Sequence, residues 1–155
     1  MGSVEGIYIA AEAEGETRPI DSVRAVAGQG LEGDRYFAGE GTFFEKRKPG
    51  QDLTLIETEA IAGMAAEDGI ELTPGEARRN VVTRGIGLND LVGRRFTVGE
   101  IECIGNRLCD PCSHLEKMTK PGVLKGLVNR GGLRADIVRG GRIAVGDEIA
   151  ELGPA

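Results

Sequence analysis

RRFTVGEIECIG, residues 94–105, decides how this chain is read. Phe96, Val98, Ile101 and Cys103 alternate with polar or charged residues on either side of Gly99-Glu100. Period-two alternation marks a half-buried strand, and a two-residue turn with glycine first is a tight way to reverse it. The segment therefore predicts a β-hairpin with Cys103 on its core face. GRIAVGDEIAELG, residues 141–153, has the same form around Gly146-Asp147 and predicts a second hairpin, with arms over 142–145 and 148–152. Two copies do not make an array, so the likeness is one of hairpin chemistry and not of a solenoid repeat.

Working outward, short β-like runs fall at 4–10, 22–27, 53–56 and 80–83. The 25 glycines are spread between such runs instead of collecting in a linker, which predicts frequent turns. Polar loops are expected over 12–17, 28–35 and 38–50. Thr58 suits the N-cap of a helix through about residue 66, with Ile61, Met64 and Ala65 on one face. Thr73-Pro74-Gly75-Glu76 is a capping-box pattern that starts only a turn or two, because Asn80-Val81-Val82-Thr83 then reads as strand. Ser113 to Glu116 is a second such pattern and predicts a short helix just after Cys112. A further helical run, 123–128, is closed by Gly131-Gly132. The expected fold is β-rich mixed α/β: one domain over 1–155, a β-barrel decorated by short peripheral helices.

Composition narrows the function. At 40% hydrophobic the 155 residues can bury one core, and with 4% aromatics and no Trp broad base-stacking surfaces are not expected. A net charge of −6 and a pI near 4.9 repel nucleic acid and anionic membrane. Clustered arginines stand out against that background. No stretch approaches the roughly 20 apolar residues of a membrane span. The first ten residues lack a basic segment followed by an apolar run, and three cysteines argue against a disulfide framework. A cytoplasmic protein with reduced thiols is expected.

Four places could carry chemistry. Cys112 stands immediately before a predicted helix N-terminus, where the dipole and free N–H groups stabilise a thiolate; the plain alternative is a buried structural cysteine. Cys109 and Cys112 together form C-D-P-C, a spacing that also suits a dithiol redox pair. A zinc site from Cys103, Cys109, Cys112 and His114 fits by ligand type, but Cys112 and His114 are awkwardly close for one ion. Next, Arg78, Arg79 and Arg84 crowd one passage with Asn80. Guanidinium forks and an amide suit an anionic, hydrogen-bonding ligand; the alternative is a solvated face paired to Glu76 and other acids. In GLEGDRY, residues 30–36, Asp34 and Arg35 either pair with each other or orient a ligand. In NRGGLRA, residues 129–135, two glycines between Arg130 and Arg134 could cradle an anion. No Walker or dinucleotide fingerprint is present.

Taken in order, GLEGDRY (30–36), DLTLIETEAI (52–61), PGEARRNVVTRGIGLNDLVGRRFTVGE (74–100), LCDPC (108–112) and RGGLRADIVRGGRIAVGDEI (130–149) resemble the MOSC family, named after the C-terminal part of molybdenum-cofactor sulfurases. The resemblance covers about 4–152. It implies a MOSC-type β-barrel that binds molybdenum cofactor, a molybdenum ion held by the dithiolene of a phosphorylated pterin. Cys112 matches the family's key cysteine, as a thiolate ligand to molybdenum or as a sulfur carrier. Arg78 and Asn80 match its R-x-N motif and would hold the pterin phosphate or ring edge, with Arg35, Arg84 and Arg134 as further cofactor contacts. The resemblance points to a molybdenum-dependent oxidoreductase acting on N-hydroxylated or N-oxygenated compounds, with electrons from an external reductase. A carrier of persulfide or cofactor is the alternative, and a dithiol protein using Cys109 and Cys112 a further one. No aminotransferase-like segment is present, so pyridoxal phosphate is not expected.

Overall fold

The computed structural model describes residues 2–10, 16–34, 50–109, 122 and 130–155. Arg35, Pro111, Cys112, His114, most of the loop expected over 38–50 and both helices expected after Cys112 lie outside the described residues.

The strands are β1 (Gly2–Ile9), β2 (Arg18–Ile20), β3 (Ser22–Val26), β4 (Gly30–Leu31), β5 (Leu53–Glu57), β6 (Val81–Arg84), β7 (Arg94–Val98), β8 (Ile101–Leu108), β9 (Leu133–Arg139), β10 (Gly141–Ala144) and β11 (Glu148–Pro154). A helix, α1 (Thr58–Asp68), follows β5 directly. Seven strands in the order β11-β7-β8-β9-β5-β6-β1 close into a barrel, because β11 also pairs with β1. β2 adds to β1, and β10-β3-β4 form a separate small sheet. Closure removes the unpaired edges that an open sheet leaves to water and to other chains.

Alternation places the core. On β7 and β8, Phe96, Val98, Ile101 and Cys103 turn inward and are fully buried, as the hairpin reading requires. Val98 and Ile101 face each other across Gly99-Glu100, and Gly99 takes the positive φ of 57° that this turn needs. Ile7, Leu53, Leu55, Val81 and Leu133 fill the interior beside them. β5 departs from simple alternation because both its faces are covered. Ile56 and its parallel partner Val82 point the other way, into a second cluster with Ala60, Ile61 and Met64 of α1. Each fully buried Leu or Ile contributes about 2 kcal/mol.

Two local expectations are corrected. Thr58 is the first helical residue and not the cap. The strand runs straight into the helix, so Glu57 takes the cap position with extended backbone and makes no side-chain capping bond. Its half-buried carboxyl instead accepts from the Leu88 N–H at 3.4 Å; burial pushes its pKa up, against the pull of that bond and with the push of Glu59 and Asp90. The second hairpin also does not form. β10 pairs with β3 and β11 with β7, so the arms around Gly146-Asp147 part into different sheets. The turn is used differently: Gly146 N–H donates to Val4 O at 2.8 Å and Val4 N–H to Asp147 O at 2.9 Å. β1 takes the hydrogen bonds that a hairpin would have kept within itself.

Candidate functional site

The segment 73–84 builds the site. Thr73 and Glu76 form the expected reciprocal box: Thr73 N–H donates to Glu76 Oε1 at 2.9 Å and Glu76 N–H to Thr73 Oγ1 at 3.3 Å. A single 3-10 turn, Gly75–Ala77, follows. Arg78 then sits in the left-handed region with φ 59°, the one non-glycine residue to do so among the described residues. That conformation costs an L-residue about 1–2 kcal/mol. It reverses the chain, leaving Arg78 half-exposed while Arg79 turns in.

Arg79 is buried, and its guanidinium ties three segments together. Nε donates to Gly131 O at 2.9 Å, Nη2 to Cys109 O at 3.3 Å and Nη1 to Ala77 O at 3.4 Å. From the β6 side it thus reaches the end of β8 and the start of β9. No carboxylate among the described residues pairs with it. Among the described residues only main-chain carbonyls satisfy this buried cation, which is held in a region of low dielectric. Cys109 is held from both sides, since its own N–H donates to Gly132 O at 2.7 Å. Its thiol is free and buried. Gly132 has φ 108°, and a Cβ there would overlap Leu55 O, so only glycine lets β9 begin this close to β5.

Asn80 is buried and fully engaged in bonds between strands. Its Oδ1 accepts from Thr54 N–H at 3.2 Å and from Thr54 Oγ1 at 3.1 Å, and its Nδ2 donates to Tyr8 O at 3.3 Å. It joins β6 to β5 and β1 and fixes the neighbouring Arg79. Arg134 is the cross-strand partner of Thr54, half-buried on the outer face. The structure therefore brings Arg78, Asn80 and Arg134 to one region beside Cys109. It does not bring Arg84 there. Arg84 is exposed at the far end of β6, about 13 Å along the strand from Asn80 at the usual rise. There it bonds Glu5 Oε1 at 2.7 Å, and that carboxylate pushes its pKa up. Asp34 is buried and accepts from Ala10 N–H at 3.0 Å, a structural use within GLEGDRY.

Cys103 belongs to the core. Burial, with lesser contributions from the charges of Asp52, Glu102 and Asp136, holds its thiol well above the ordinary thiol range, so it stays protonated and inert. Arg79, the hub of the site, stood in the sequence cluster without a role of its own. The signal that could have singled it out is its place between a forced reversal at Arg78 and an inward-bonded Asn80. Arg107, two residues before Cys109, was not singled out either.

The described residues thus form a closed barrel with a buried, carbonyl-bound arginine at a cysteine-bearing strand end. The family model for the MOSC domain matches residues 45–150, and the chain belongs to this family. Solved structures agree in fold. YuaD from Bacillus subtilis superposes with a TM-score of 0.78 at 21% identity, covering 96% of this chain and 94% of that one. YiiM from Geobacillus stearothermophilus gives 0.75 at 13% identity, over 98% and 75%. YiiM from Escherichia coli gives 0.69 at 15% identity, over 99% and 71%. No curated protein matches the sequence. No helix among the described residues is long and apolar enough to cross a membrane.

Proposed function

We propose that this chain is a cytoplasmic, single-domain molybdenum-cofactor-binding protein that reduces N-hydroxylated or N-oxygenated compounds, with Cys112 as the thiolate ligand to molybdenum. The observation that carries the reading is the Arg79 staple. It ties the R-R-N turn, Cys109 and the Gly131-Gly132 start of β9 around one buried guanidinium, and these lie in segments on which the family resemblance rests.

The residues present fit the group. An anionic, phosphorylated pterin suits the guanidinium of Arg78, the guanidinium of Arg134 and the close-packed glycine backbone at 131–132, with Arg35 as a further contact. Asn80 holds the turn that aims them. The cofactor, when bound, supplies the two-electron step that removes oxygen from the substrate. Cys112, three residues beyond Cys109 in sequence, contributes a soft thiolate to the metal. Arg79 holds the carbonyls of Gly131 and Cys109 in place. Electrons come from a separate reductase.

The test is molybdenum and pterin content of protein made in a host that synthesises the cofactor, comparing wild type with Cys112→Ser. About one molybdenum per chain, lost in the variant, supports the ligand role. Wild-type protein free of molybdenum in cells rich in cofactor sinks the reading; a one-sulfur mass increase on Cys112 would then favour a persulfide carrier.

A further inference from the structure

The segment between β6 and β7, residues 85–93, packs against β5, β7, β8 and β9. Its single 3-10 turn, Leu88–Leu91, puts both leucines fully into the main core. The segment is also set into the barrel wall. Gly93 N–H donates to Gly105 O at 2.9 Å, and a Cβ on Gly105 would overlap Leu91 O. The segment thus plugs the barrel beyond the end of β6.

Carboxylates from the junction of β5 and α1 hold the plug by its main chain. Glu59 accepts from Gly85 N–H at 2.8 Å, and Glu57 accepts from Leu88 N–H at 3.4 Å. Asp90 folds back over Gly87, where a Cβ would lie 2.9 Å from Asp90 Oδ2. The charges that bear on Glu57 are those of Glu59, on α1, and Asp90, on the plug, and both are negative. Arg84, at the end of β6, feels the charge of Glu59 but spends its bond on Glu5 of β1. No cation among the described residues bonds Glu57.

A half-buried carboxyl beside like charges is costly in its ionised form. Burial is the main cause that pushes Glu57 above the ordinary glutamate value; the Leu88 bond pulls the other way, and Glu59 and Asp90 add to the push. The cost lasts only while the plug is closed, because opening gives the carboxylate back to water.

We propose that Glu57 is a protonation switch for the plug: taking a proton tightens residues 85–93 onto the barrel, and losing it loosens them. Linkage fixes the sign. The closed state holds the Glu57 proton more tightly than the open one, so closure is firmest at acid pH and weakens as pH rises through the Glu57 titration. Neither the cofactor nor Cys112 enters this equilibrium.

The experiment follows amide exchange of Gly93 in the full-length protein, as protection relative to an unstructured chain, from about pH 4 to about pH 8. The Gly93 N–H bonds Gly105 and not Glu57, so it reports opening of the plug and not loss of one bond. Glu57→Gln keeps an acceptor for Leu88 and serves as the reference. The ratio of wild-type to Glu57→Gln protection should fall with rising pH, about tenfold for each pH unit by which closure raises the Glu57 pKa. In Glu59→Gln, with one repelling charge gone, the fall should move to lower pH. A carbon-detected titration of the Glu57 carboxyl in wild type supplies the same pKa without any variant. Parallel protection profiles for wild type and Glu57→Gln, or a Glu57 carboxyl that titrates at the ordinary glutamate value, overturns the proposal.

Discussion

At the scale of single residues, Arg79 ties the segments of the candidate site together. Its three carbonyl partners have no other side-chain donor among the described residues. Arg79→Met keeps much of the stem but orphans buried acceptors, and should cost about 2–4 kcal/mol in urea unfolding. A loss below about 1 kcal/mol would mean that water replaces the guanidinium and that the staple is dispensable. That Arg78, Arg79 and Asn80 form one cluster is legible in the sequence; which of them bonds to the main chain is not. Alternation along 80–83 places Asn80 and Val82 on one face and Val81 on the other, which holds. It cannot be carried back through Arg78, because a left-handed arginine breaks the period and no local pattern announces one. Asn80 shows the same limit: the amide that suits a ligand equally suits the carbonyl of Tyr8 and the hydroxyl of Thr54.

At the scale of elements, turn chemistry was the most reliable guide where the bonds are local. The Thr73–Glu76 box and the Gly99-Glu100 hairpin are closed by residues three apart or fewer, and both formed as the sequence indicates. The corresponding reading of Gly146-Asp147 failed because β1, far away in sequence, offers its Val4 amide and carbonyl to that turn. Non-local pairing outweighed a local preference. The start of β9 shows the reverse case, a local requirement imposed by a distant neighbour. Gly132→Ala would drive a methyl into the Leu55 carbonyl and force an unfavourable φ, so a loss of about 3 kcal/mol or more is expected. Under the proposed function the same variant also loses pterin before it unfolds, since Gly132 O accepts from the Cys109 N–H; thermal melting alongside pterin content checks both, and a variant as stable as wild type would show that β9 can shift.

At the scale of the whole molecule, a barrel was legible from many short alternating runs, but the order of its staves was not, because four of its seven seams join strands that are not sequence neighbours. The closing seam is the weakest joint. β11 meets β1 only at Gly2–Ile149 and Ser3–Glu148, with the Val4 bonds beyond, whereas β8 and β9 share six register pairs. Amide hydrogen exchange should find Ser3 and Ile149 opening well below the global unfolding free energy, and Cys103 and Ile137 only with it. Uniform protection around the barrel would contradict that ranking. The seam also has a consequence for biosynthesis. β1 is made long before β11, so until β11 is made the outer edge of β7 and the Gly2–Ser3 end of β1 lack the partner that closes the barrel. Closure becomes an event tied to the synthesis of β11, and a ribosome stalled before β11 would display a sticky, open sheet to whatever chaperones and neighbouring chains are at hand.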